Sequence, residues 1–204
     1  MSAFLDIIAS MLFAGSLFGI ILDSNDLAME TQMVYNGDMM VQQMLTATVQ
    51  MVEGELRNIG FGLPSYQPSI RLADSTSMTF LSDVDRDGTV DTVRYSIGVT
   101  NELASTPNEL DCFLKRSVNS QANEKIGVVT VFKLRYFTQA GELLSTPVTS
   151  SRVSEIYTVE LTIEVQNPVA PPRNPSMVQA GERDALYSSS LWQQTRLASQ
   201  NNRR

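Results

Sequence analysis

The chain has 204 residues, with 22 acidic against 15 basic side chains, a net charge of −7, no histidine and one cysteine. The whole negative excess lies in residues 1–56, which hold seven acids (Asp6, Asp23, Asp26, Glu30, Asp38, Glu53, Glu55) and no base. This argues against nucleic acid or anionic lipid headgroups as partners, removes the histidines of zinc hydrolases and Ser-His-Asp triads, and leaves Cys112 without an internal disulfide mate.

Residues 3–22 (AFLDIIASMLFAGSLFGIIL) are almost continuously apolar, and Asp6 is their one ionisable side chain. Twenty such residues, at a rise of ~1.5 Å each, cross a hydrocarbon layer of ~30 Å. Segment 1–22 is therefore expected to be a transmembrane or filament-core helix. A carboxylate there is costly and calls for a partner. A secretory signal would need a basic start and a small-residue cleavage site; Met1-Ser2 and the residues after Leu22 offer neither. A buried core helix would need a polar face.

From residue 23 the pattern becomes amphipathic. Val34, Val41, Leu45, Val49, Val52, Leu56 and Ile59 recur at steps of three, four and seven, one face of a helix. Segment 23–60 is expected to continue the first helix to a length of about 55 residues. Asn36-Gly37 is a predicted weak point, since glycine costs ~1 kcal/mol against alanine in a helix. Met29, Met33, Met39, Met40, Met44 and Met51 suit adaptable packing or contact with neighbouring subunits. Gly60-Phe61-Gly62-Leu63-Pro64 is a strong stop.

Residues 65–168 change to a period of two. Short strands are expected at Ile70-Leu72, Met78–Leu81, Val93–Ile97, Leu110–Leu114 and Phe132–Tyr136, with a turn at Gln139-Ala140-Gly141. The clearest strand sets Tyr157, Val159, Leu161, Ile163 and Val165 against Thr158, Glu160, Thr162, Glu164 and Gln166, which places Glu160 and Glu164 on a wet face. An antiparallel sheet with one apolar face needs a cover, and the amphipathic helix supplies it. Cys112, amid strand residues, reads as a small core hydrophobe. The run NPVAPPRNP then ends the sheet. Residues 169–204 read as a Pro-rich, polar tail, loosely held and docked by Trp192.

Between two of the strands lies Asp83-Val84-Asp85-Arg86-Asp87-Gly88-Thr89-Val90-Asp91. It fits the first nine positions of a calcium loop, D-x-D-x-D-G-x-x-D. Acids at alternate positions can converge oxygens on one point. Gly88 permits the left-handed turn, and Thr89 can offer its carbonyl. The twelfth position holds Arg94 where such loops carry Glu, and the flanks read as strands, so an EF-hand is excluded. A structural calcium site formed by Asp83, Asp85, Asp87, Thr89 and Asp91 stands beside a simpler reading, a hairpin turning at Asp87-Gly88 with solvated acids.

The opening helix, GELRNIGFG at the helix end, FLSDVDRDGTVDTVRYSI, LDCFLKRSVN, and VFKLRYFTQAGELLSTPV followed by IYTVELTIEV together resemble a type IV pilin-like protein. The likeness is to the larger minor pilins and pseudopilins. It implies an α+β fold, with a long N-terminal helix packed on an antiparallel sheet, and no enzymatic activity. It implies a structural subunit held in the inner membrane by one helix, with a periplasmic domain that becomes extracellular on assembly. Its implied partners are other pilin subunits, met through that helix, and the inner-membrane assembly machinery.

The family keeps a glutamate at the fifth residue of the mature helix. Counted from Ser2, Asp6 is fifth, and the resemblance implies that it pairs with the α-amino group of an adjacent subunit. The family's basic leader ending in Gly does not appear before Ser2, where its mature helix begins with Phe. The expectation is that a leader lies outside this chain, or that the helix inserts without such processing. The alternative function is a membrane-tethered, calcium-stabilised binding or adhesion domain that does not polymerise.

Overall fold

The protein is seen in a computed structural model, described at residues 2–64, 67–103, 106, 108, 110–167 and 190–198. Helix α1 runs without interruption over Ser2–Arg57, 56 residues, or roughly 84 Å at the standard rise. It passes through Asn36-Gly37 unbroken. Among the residues whose burial is described, Gly37 is the first buried one of the helix, and side-chain packing from that point on offsets the poor propensity of glycine.

The face anticipated from the spacing is the buried one. Val41, Leu45, Val49, Val52, Leu56 and Ile59 are all buried, each worth roughly 1.5–3 kcal/mol of transfer free energy. The side chain of Val34 lies outside the description.

Nine strands follow among the described residues. β1 (Ile70–Ala73), β2 (Ser77–Ser82), β3 (Asp91–Ile97), β4 (Cys112–Val118) and β5 (Glu124–Val129) form an antiparallel meander in that order. β6 (Val131–Phe137), β7 (Leu143–Leu144), β8 (Thr158–Gln166) and β9 (Ser190–Leu197) form a second antiparallel sheet in the order β7-β6-β8-β9. The chain is thus α+β, with two sheets where the pattern predicts one. Alternation fixes which side chains share a face, but not which strand is the neighbour.

The lower half of α1 packs on β5, β8 and β9. One hydrophobic cluster joins that helix face to both sheets, through Phe80, Tyr95 and Leu114 on one and Leu134, Leu161 and Ile163 on the other. Close approach at β5 depends on Gly127, where a Cβ would come within 2.8 Å of Thr48 Oγ1. The predicted turn at Gly141 is present, with φ of 83° and the Gly141 N–H donating to Thr138 O.

Three expectations are corrected. Ser190–Leu197, placed by its polarity in a loose tail, is a strand paired with β8 from Val159 to Gln166, and Trp192 is 63% exposed instead of docked. Glu160 does face away from the core, yet it is 5% exposed because arginines from β6 and β9 close over it. Asp111 is buried and Leu110 exposed, because β4 begins only at Cys112 and the segment before it turns through Asp111 N–H to Asn108 O. Cys112 is buried as expected. The proline run 168–175 and the terminus 199–204 lie outside the described residues.

Candidate functional site

Two places carry chemistry. The first is the upper half of α1. The helix is long and apolar enough to cross a membrane, and no part of its most apolar stretch is buried. Phe4, Ile7, Met11, Leu12, Phe13, Leu17 and Phe18 all point outward. Asp6 lies on this surface, in the first turns of the helix. Beside it, the Ser10 hydroxyl donates back to the Asp6 carbonyl at 2.7 Å.

The apolar surface does not stop at Leu22. Leu27, Met29, Met33, Tyr35, Met39, Met40 and Met51 are also exposed. Of the six methionines singled out in the sequence, Met44 alone packs against the core.

The second place is the acidic loop joining β2 to β3. The strands pair from Ser77↔Ser96 to Ser82↔Asp91, so Asp83 and Asp91 leave and enter the ladder side by side. The carboxylates of Asp83, Asp85 and Asp91 converge, each with one oxygen within 4.8 Å of the others. Gly88 has the left-handed φ expected, 87°, and Arg86 adopts a second at 61°.

Backbone amides hold the acids in place. Gly88 N–H donates to Asp83 Oδ2 at 3.1 Å, Asp87 N–H to Asp85 Oδ1 at 3.2 Å and Val84 N–H to Asp91 Oδ2 at 3.0 Å. Asp87 stands apart from the converging three and accepts the Thr89 N–H and hydroxyl. Those bonds hold its carboxyl below the usual aspartate range. Asp83 Oδ1 is buried and has no hydrogen-bond partner.

Sequence reasoning missed the supports of this loop. Asn119, at the end of β4, donates from Nδ2 to Asp91 Oδ1 at 2.5 Å and accepts the Thr92 N–H at 2.8 Å. Its left-handed φ of 51° follows Asn's tolerance of that region, and the pair Asn119-Ser120 after a strand was the available signal.

The helix end abuts the loop. Gly60 N–H donates to Leu81 O, Ser82 Oγ to Asn58 O, and Asp83 N–H to Phe61 O. One turn earlier, Glu55 accepts the Arg116 guanidinium through Nε and Nη2, the latter at 2.6 Å, and the Tyr95 hydroxyl at 2.6 Å. Burial, and then the Glu55 carboxylate, push the Tyr95 phenol far above its ordinary pKa. Nothing local in the sequence announces this triad, since its members lie on three different elements. Beside these contacts a cavity of about 70 Å³ lies between the helix end and the loop, lined by Glu55, Asn58, Phe61, Ser82, Asp83 and Arg86.

No family model, curated protein or solved structure matches this chain.

Proposed function

We propose that this chain is a structural subunit of the minor pilin or pseudopilin kind, held in a membrane by α1 and assembled through it into a filament. The observation that carries this reading is the reach of the exposed apolar surface along α1. A tether needs only ~20 residues to cross a bilayer, and residues 3–22 supply them. The outward-facing Leu27, Met33, Tyr35, Met39 and Met40 lie past that span and would meet water in a lone anchored monomer. Neighbouring helices in a bundle would cover both stretches at once. Methionine, flexible and polarisable, suits a surface that must fit several neighbours.

In this reading Asp6 pairs with an ammonium group on an adjacent subunit. Each charge is costly alone in an apolar medium, and they offset each other when adjacent. The pairing sets axial register. The folded part stands on the periplasmic side before assembly and faces outward afterwards.

The test is incorporation. Asp6→Ala and Met33→Lys should each reduce recovery in the sheared-filament fraction at least ~10-fold, with membrane levels unchanged. Normal incorporation of both variants would refute assembly through Asp6 and this helix face, and absence of the native chain itself from the filament fraction would leave only the monomeric tether.

A further inference from the structure

We infer that Asp83, Asp85 and Asp91 bind one divalent cation of the calcium class, and that the ion pins the end of α1 to the five-stranded sheet. Convergence of three acids within 4.8 Å would not suffice. The second observation is Asp83 itself, which is 7% exposed. The Gly88 N–H takes its Oδ2 and fixes the carboxylate inside the loop. Its Oδ1 is fully buried and finds no donor. A buried carboxylate oxygen without a partner is expensive, and a cation supplies the missing one. No Lys or Arg forms an ion pair with any of the three acids among the described residues. The nearby Arg86 instead lies 6.0 Å from the Phe61 ring centroid.

The geometry selects the ion. All donors are hard oxygens, which excludes soft metals. Oxygens spread over as much as 4.8 Å can share an ion at ~2.3–2.6 Å, because two opposed bonds of that length span about 5 Å. Magnesium, at ~2.0–2.1 Å and octahedral, needs a tighter set. Calcium's remaining places fall to water, for which the cavity beside Asp83 has room.

The coupling runs through Asp83, whose N–H donates to Phe61 O at 2.9 Å and whose Cβ sits against Gly62. Immobilising its carboxylate therefore immobilises the turn that ends α1. None of this depends on polymerisation, so the site and the filament reading stand or fall separately.

The full chain in detergent micelles, stripped with chelator, is titrated with calcium chloride and followed by calorimetry and thermal melting. Calcium at ~10 mM should raise the melting midpoint by at least ~5 °C. Asp83→Asn keeps the side chain's shape and should melt no lower than the native chain in chelator, while losing the calcium response. Asp85→Ala removes an exposed carboxylate that accepts the Asp87 N–H, so the fold survives and calcium affinity should drop at least ~10-fold. Amide exchange at Gly60, whose N–H reaches Leu81 O, should slow when calcium binds. Absence of any calcium shift in the native chain, or an undiminished response in both variants, overturns the site. An equal response to magnesium overturns the choice of ion. Unchanged exchange at Gly60 with calcium bound overturns the pinning.

Discussion

Glu160 lies on β8 with its carboxylate between Arg135 of β6, at 3.3 Å, and Arg196 of β9, at 2.8 Å. Arg196 also stacks over the Phe137 ring at 4.0 Å, so the pair of arginines forms a lid as well as a counter-charge. Burial pushes the Glu160 carboxyl up in pKa, but hydrogen bonds from Arg196, Arg135 and Gln194 outweigh it and leave the group below the ordinary glutamate value. The contribution of such a group is complete above its unfolded value of about 4.3 and is lost as pH falls through the lower folded one. Chemical denaturation from pH 6 down to 3 should therefore show a steeper acid loss of stability in the native chain than in Glu160→Gln; parallel curves would deny the carboxylate this role. Glu160→Lys leaves three cations together and should cost roughly 2–4 kcal/mol. Glu164→Lys should cost less than about 1 kcal/mol, since Glu164 is only half-buried and accepts from Gln166 and Ser190. The same locality governs what the sequence could disclose about the acidic loop. The convergence of Asp83, Asp85 and Asp91 was readable because all three lie within one short motif. The role of Asn119 was not, because the chain travels through β3 and β4 before returning to the loop.

The end of α1 is the element on which the acidic loop leans, and Gly62 is its tightest point. Its φ of +78° disfavours any side chain, and an added Cβ would lie 2.8 Å from Asp83 Cβ, an atom next to the backbone that cannot swing away. Gly62→Ala should destabilise the fold by about 1–3 kcal/mol, measured by urea unfolding, and should also weaken calcium binding in the titration above. A loss confined to stability would separate the helix end from the loop. The stop itself was legible, because two glycines and a proline after a periodic run leave a helix few ways to continue. The strands with one buried and one polar face were legible for the same kind of reason. β9 was not: SLWQQTRL exposes nearly every side chain except Leu197, so its place in the sheet rests on backbone pairing with β8 and on polar contacts such as Arg196 with Glu160, which leave no hydrophobic period. β5 escaped similarly, with Val129 its one fully buried residue.

At the scale of the whole molecule, α1 divides at Asn36. Before it, the described side chains are exposed, large apolar ones such as Phe4, Phe13, Leu27 and Met33 among them; after it, the buried face begins at Gly37 and Val41. The folded body therefore takes none of its core from the described side chains before Asn36, and the cost of their exposure falls on whatever surrounds them. A chain beginning at Asn36 tests this directly. Asn is a favourable N-cap, and Asp38 in the first turn complements the helix dipole, so the shortened helix keeps a competent start. Its melting midpoint should lie within ~4 °C of that of the full chain in detergent, and it should remain monomeric in plain buffer, as judged by sedimentation. The full chain should need detergent or a membrane to avoid aggregation, because its exposed apolar surface far exceeds the few hundred Å² that a soluble monomer shows. If the shortened chain instead melts far lower or precipitates, the upper helix supports the fold as well as the anchor, and the division at Asn36 fails.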